Sequence, residues 1–138
     1  MVTAGFKIPD DSVKAYNELQ GGHKHSYLIF KIDQEQKAVV LEESGKPDEF
    51  KYDEFAKKVA TLDSPRFIVI DFKGKYADGR ALEKVVFIFW CPDGAKIKER
   101  MLYASTKEDF KRKMNGLHKT IEASDESDIE YKEVISLF

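Results

Sequence analysis

The side chains able to do covalent or metal chemistry are few and scattered. There are three histidines, His23, His25 and His118, and one cysteine, Cys91. The run His23-Lys24-His25 puts two imidazoles on one side of an extended segment. His118 is far away in sequence, and no Cys/His spacing supplies the four ligands a structural zinc ion takes, so no metal is expected. Cys91 closes the apolar run F-I-F-W-C, which favours a packed thiol over a nucleophile. The glycines at 21 and 22 and at 74 and 79 fit turns, and no phosphate-cradling fingerprint is present. The acidic run 122–130 reads as a solvated loop and a helix start. No constellation resembles an active site, so neither an enzyme nor a cofactor is expected.

Chemistry of another kind, non-covalent recognition, is concentrated in residues 90–116, W-C-P-D-G-A-K-I-K-E-R-M-L-Y-A-S-T-K-E-D-F-K-R-K-M-N-G. The stretch leaves an apolar strand, stops at Pro92 and becomes helical. Ile97, Met101 and Ala104 share one apolar stripe, and Phe110, Met114 and Leu117 share another. The two are out of phase on a 3.6-residue helix. Between them, Ser105-Thr106-Lys107-Glu108 has the form of a capping box, so the spacing predicts a helix kinked or restarted near Ser105. Asn115-Gly116 would end it as a left-handed cap. With Phe110 at zero, Lys107, Glu108, Lys111 and Arg112 fall about 60° to 200° round one side, a charged and mostly basic face. Such a face also suits an ordinary solvated amphipathic helix.

The elements that must position this stretch follow from the rest of the chain. Its 138 residues, 42% of them hydrophobic, suffice for one domain with a substantial core. The formal net charge of −2 creates no global attraction to nucleic acid or membrane, so an electrostatic partner must be met by a local patch. A single cysteine forms no internal disulfide and suits a reducing cytosol. No apolar run is long enough for a transmembrane helix, and the first residues lack a signal pattern, so a soluble intracellular protein is expected. Residues 1–9 read as a flexible arm. Asp10 or Asp11 caps a helix over 12–19, stopped by Gly21-Gly22. Residues 26–33 and 38–43 form a hairpin, and 52–59 a short helix burying Phe55 and Val59. Strands follow at 66–72 and 83–91, the latter the most apolar and expected at the centre. The long helix comes next, then a short strand at 119–123 and a last helix over 129–138, capped within 125–128. This order argues an α+β domain with a mixed sheet of about five strands and helices on both faces.

The run from Phe87 through W-C-P-D-x-A, then R-M-x-Y-A-S-T-K-E-D-F-K-R-K-M-N-G, resembles the signature of the actin-depolymerising factor (ADF)/cofilin family. Ala4-Gly5-Phe6-Lys7-Ile8, Tyr16-Asn17-Glu18-Leu19, Tyr27 to Ile32, Tyr52 to Phe55 and Phe67 to Phe72 extend the resemblance over essentially the whole chain. It implies the ADF-homology fold and a monomeric protein of the cytoplasm and actin cytoskeleton, binding G-actin and the sides of F-actin and promoting depolymerisation. Carried over by residue, the contact for monomer and filament would be Lys98, Arg100, Met101, Lys107, Glu108, Lys111 and Arg112, with Ala4 and Gly5 in the arm. Met101 taken alone also fits a core position.

The resemblance further implies a filament-only surface on the hairpin turn and the last helix, with Arg80 and Lys84 as its first half. The last helix lacks the basic residues usual in strongly severing members, so only weak severing is expected. The family's inhibitory phosphoserine position is occupied by Ala4. Lys96, Lys98, Arg100, Lys107, Lys111, Arg112 and Lys113 form a basic area suited to phosphoinositide headgroups. Two rival readings are a coactosin-like filament side-binder without disassembly, and a phosphoinositide-binding module.

Overall fold

Two strands of nearly unbroken apolar sequence, Tyr27–Asp33 (β1) and Arg66–Lys75 (β3), are buried on both faces, as chains covered from two sides must be. In the computed structural model, which describes residues 6–138, they lie in a five-stranded sheet with Ala38–Gly45 (β2), Ala81–Trp90 (β4) and Lys119–Ala123 (β5). The order is β2-β1-β3-β4-β5. The first four strands pair antiparallel, and β5 joins β4 in parallel. The sheet is therefore mixed. The fourth strand was expected at the centre, but β3 takes that place and β4 lies next to the edge. High apolarity reports that both faces of β4 are covered; it does not report position within the sheet.

The faces are covered by different helices. Asp10–Gln20 (α1) and Ile97–Lys113 (α3) bury Tyr16, Leu19, Tyr103 and Phe110 against Leu28, Phe30, Phe67 and Phe87. Tyr52–Ala60 (α2) and Tyr131–Ile135 (α4) bury Phe55, Val59 and Val134 against Ile29, Ile68, Ile70 and Ile88. Strand alternation explains the division, since successive side chains of β1 and β3 point to opposite faces.

Several local expectations are corrected. The N-cap of α1 is Pro9, without a side-chain cap. Asp10 and Asp11 lie in the first turn instead, where the helix dipole favours negative charge. Asp125 caps a 3-10 turn, Glu126–Ile129, in a reciprocal box with Asp128. Glu130 is then extended, so the helix expected over 129–138 shrinks to α4. The expected flexible arm is tied down in its described part. Lys7 N–H donates to Lys37 O at 2.8 Å, Val39 N–H donates to Lys7 O at 2.8 Å, and Phe6 and Ile8 pack against the core.

Candidate functional site: the outer face of a crossover helix

The connection between the parallel strands β4 and β5 is α3, one uninterrupted helix from Ile97 to Lys113. Its sequence explains the continuity. No glycine or proline interrupts it, and strong helix formers dominate. Glu99 occupies the first turn and Lys111, Arg112 and Lys113 the last, both complementary to the helix dipole. The restart expected at Ser105 does not occur. Ser105 Oγ donates to Leu102 O at 2.9 Å and Thr106 Oγ1 donates to the same carbonyl at 2.8 Å. Both hydroxyls bond back into the preceding turn instead of capping a new one. The helix ends at Met114, and Gly116 takes the left-handed conformation at φ 95°.

The stripe facing the sheet is Tyr103, Thr106 and Phe110, continued by Met114. Phe110 stacks on Phe67 with ring centroids 4.9 Å apart and meets Phe30 and Phe87 at 5.1 and 5.4 Å. Two hydroxyls fix the helix to neighbouring elements. Tyr103 Oη accepts from Ile32 N–H at 2.9 Å, and burial raises its pKa. Tyr16 Oη donates to Asn115 O at 2.6 Å, tying α1 to the end of α3, and burial pushes its pKa up to about 12.

The first apolar stripe therefore points outward. Ile97 is 71% exposed and Met101 67%, which excludes the core reading of Met101. Together with Ala104, Arg100, Phe89 and Cys91 they line a shallow groove between α3 and the end of β4. Ile97 and Ala104 were not anticipated as surface, whereas Phe89 is buried and Cys91 packs partly buried against the core, as expected of a packed thiol. One signal could have found Ile97 and Ala104: on a single continuous wheel with Phe110 at zero, Met101 falls at about 180° and the other two nearby.

Lys98, Arg100, Glu108 and Arg112 are exposed on the same outer half of α3, and Lys111 is half-buried. Arg112 is paired with Asp109 one turn back. Lys107 is the most constrained of the set. It bonds Glu122 of β5 at 3.2 Å and lies over the Phe89 ring, 5.2 Å from its centroid. Glu122, inside the strand expected at 119–123, thus anchors a lysine and is not merely the start of a solvated acidic run. The proposed headgroup residues Lys96, Lys98, Lys107, Lys111, Arg112 and Lys113 do not all share one flank. Lys107 and Lys111 border one side of the Met101 stripe, and Lys98 and Lys113 the other, by about 100° per residue. Ala4 and Gly5 lie outside the described residues.

Arg80 and Lys84 belong to the β3–β4 hairpin. Arg80, in the turn, bonds Asp78 at 2.7 Å and stacks over Tyr76 at 4.7 Å. Lys84 is half-buried on β4, opposite Phe72. The hairpin and α4 do meet. A Cβ on Gly74 would lie 2.5 Å from Tyr131 Oη and 3.0 Å from Ile135 Cδ1, so only glycine permits this approach. The single α4 lysine, Lys132, has Glu130 3.8 Å away.

The histidines take separate tasks. His23 Nδ1 lies 2.9 Å from Asp71 Oδ2, and His25 Nε2 lies 3.1 Å from Glu18 Oε1. His118 Nδ1 accepts from Val85 N–H at 2.9 Å. Among the described residues no group of three or more His, Cys, Asp or Glu could hold a metal ion, and no helix is long and apolar enough to cross a membrane.

The chain matches the family described as "Cofilin/tropomyosin-type actin-binding protein" over residues 5–137. It is 38% identical to an actin-depolymerizing factor of Vitis vinifera over 128 residues, covering 93% of this chain and 88% of that protein. It is 36% identical to actophorin of Acanthamoeba castellanii over 126 residues, covering 91% and 89%. Among solved structures, Streptomyces griseoflavus cofilin superposes with a TM-score of 0.84 at 32% identity, covering 96% of each chain.

Proposed function

This chain belongs to the ADF/cofilin family of actin-binding proteins, and from that premise we propose that it binds actin monomers and filament sides and promotes filament disassembly. One observation carries the reading to particular residues: the outward stripe of α3. Ile97 and Met101 stand exposed beside Ala104 in one apolar strip, the kind of surface that marks an interaction site. Met101 is unbranched and polarizable, suited to an irregular apolar cleft. Arg100 and Lys111 on one side, Lys98 on the other and Arg112 beside Met101 supply charge that steers an acidic partner and fixes its register. Glu108, and Ala4 and Gly5 of the arm, complete the proposed contact, while Lys107 acts mainly by holding the helix against β5.

Arg80 and Lys84 form the hairpin half of a second, filament-only surface, and α4 its other half. The alternation Glu130, Lys132, Glu133 makes α4 a weak partner for an acidic filament, so severing is slight. The protein works as a single-domain monomer at the cytoplasmic actin cytoskeleton without covalent catalysis. It acts by binding one filament state better than another, which shifts the equilibrium by its differential affinity. Phosphoinositide headgroups compete for the basic flanks of α3.

Co-sedimentation with pre-formed filaments, assaying actin in pellet and supernatant, tests the proposal. The expected result is protein in the pellet together with more actin in the supernatant. Pelleting without released actin would replace it by a side-binder of the coactosin kind. Binding to anionic vesicles with none to either form of actin would replace it by a lipid module.

A further inference from the structure

The flank of α3 that meets β5 carries three cations, Arg100, Lys107 and Lys111, at about 80°, 60° and 100° from Phe110. Arg100 is exposed and Lys111 half-buried, and neither has an ion pair among the described residues. Lys107 is held. Its side chain is only 18% exposed, and its ammonium lies 3.2 Å from Glu122 and 5.2 Å from the centre of the Phe89 ring. The stem runs along apolar surface, and the charge is turned back toward the sheet.

Two details tie this pair to the outward stripe of the helix. Phe89 and Glu122 are register partners in the β4–β5 pairing, so their side chains stand side by side on the face that α3 covers. The ring beneath Lys107 is also a wall of the groove that holds Met101 and Ala104, and Ala104 lies one turn before Lys107. Glu122 is 68% exposed, and Lys107 alone donates a side-chain hydrogen bond to it among the described residues. Its carboxylate therefore serves no buried network.

We propose that Glu122 is a positioning residue that sets the affinity of α3 for an acidic partner by keeping Lys107 on the sheet. The inference rests on the actin reading above and adds a residue that lies outside its contacts. In the free protein Lys107 holds the helix to β5; in the complex it exchanges Glu122 for a carboxylate of the partner. Once released, it joins Arg100 and Lys111 as a third free cation on one flank. An exposed ion pair is weak, so the restraint lowers affinity only about two- to fivefold. A partner without an acidic group at that point has nothing to offer in exchange, so the same restraint adds selectivity.

The test pairs actin-monomer affinity, from fluorescence of labelled actin, with the reactivity of the Lys107 amine in the free protein. Glu122→Gln keeps the shape of the side chain and removes its charge. It should tighten monomer binding about two- to fivefold. It should also speed acetylation of Lys107 relative to Lys98, read by peptide mass spectrometry. In a Lys107→Gln background the same change should leave affinity where it is. An equal gain in both backgrounds would assign the effect to overall charge and overturn the proposal. So would unchanged Lys107 reactivity, or a loss of affinity in Glu122→Gln, the result expected if the pair merely braces α3. Wild-type protein that binds no actin monomer overturns the function proposed above and this inference with it. Normal wild-type binding with an unmoved Glu122→Gln affinity overturns this inference alone.

Discussion

Met101 and Phe110 belong to one helix and answer to opposite demands. Phe110 is fully buried among Phe30, Phe67 and Phe87, so Phe110→Ala should cost about 3–5 kcal/mol in urea unfolding. Met101, 67% exposed, touches little of its own chain. Met101→Ala should leave stability within about 0.5 kcal/mol, yet weaken actin-monomer binding roughly tenfold if Met101 is a central anchor. Lys111→Ala combined with Arg112→Ala should weaken monomer and filament binding together without unfolding the protein. Unchanged monomer affinity in that double variant, measured by fluorescence of labelled actin, would remove α3 from the site. The sequence makes both apolar stripes of α3 visible. It does not say which stripe meets the sheet, because apolar spacing marks burial against anything, including a partner outside the chain.

At the scale of the element, that ambiguity produced the expected break at Ser105. Two stripes taken as core demand two helical phases; one core stripe and one exposed stripe demand a single helix. The two models differ in a measurable way. A working N-cap loses about 1 kcal/mol on replacement by alanine. Among the described residues Ser105 Oγ bonds Leu102 O alone, so Ser105→Ala should change the thermal midpoint negligibly. The hairpin and α4 offer a sharper case. Gly74→Val would drive a side chain into Tyr131 and Ile135, overpacking that should cost about 1–3 kcal/mol. Because it displaces α4 and spares α3, it should reduce filament binding more than monomer binding in parallel assays. Strand and helix identities were legible from period and punctuation. The shortening of α4 was not, because the choice between a 3-10 turn and an α-helix after Asp125 rests on the reciprocal bonds with Asp128.

For the molecule as a whole, the two-faced sheet was legible in the apolar runs of β1, β3 and β4. Its strand order was not, since order depends on which edges pair, and β5 carries only five residues. The burial that makes the fold also sets its response to pH. Tyr16, Tyr52 and Tyr103 all have raised phenol pKa values caused chiefly by desolvation. A raised folded value means the native state holds protons the unfolded chain has released. Their contribution is thus complete below about pH 10, where free phenols titrate, and is lost as pH climbs through the folded values. Urea midpoints should accordingly fall above about pH 10, and Tyr16→Phe should flatten that fall while lowering stability at pH 7 by about 1 kcal/mol. Glu43 gives the acid limb. Burial draws its pKa up, but bonds from Lys58 and Tyr27 outweigh this and leave it lowered, so its contribution disappears as pH drops through that depressed value.

The parallel pairing of β4 and β5 also has a mechanical meaning. A partner gripping α3 and twisting away from the sheet pulls on Trp90, at the far end of β4, and on Lys119, at the near end of β5. Parallel strands tugged from opposite ends are loaded in shear. Every rung from Val86–Lys119 to Trp90–Ala123 then shares the tension, and none has to open first. A load applied to α3 therefore meets a joint that resists peeling.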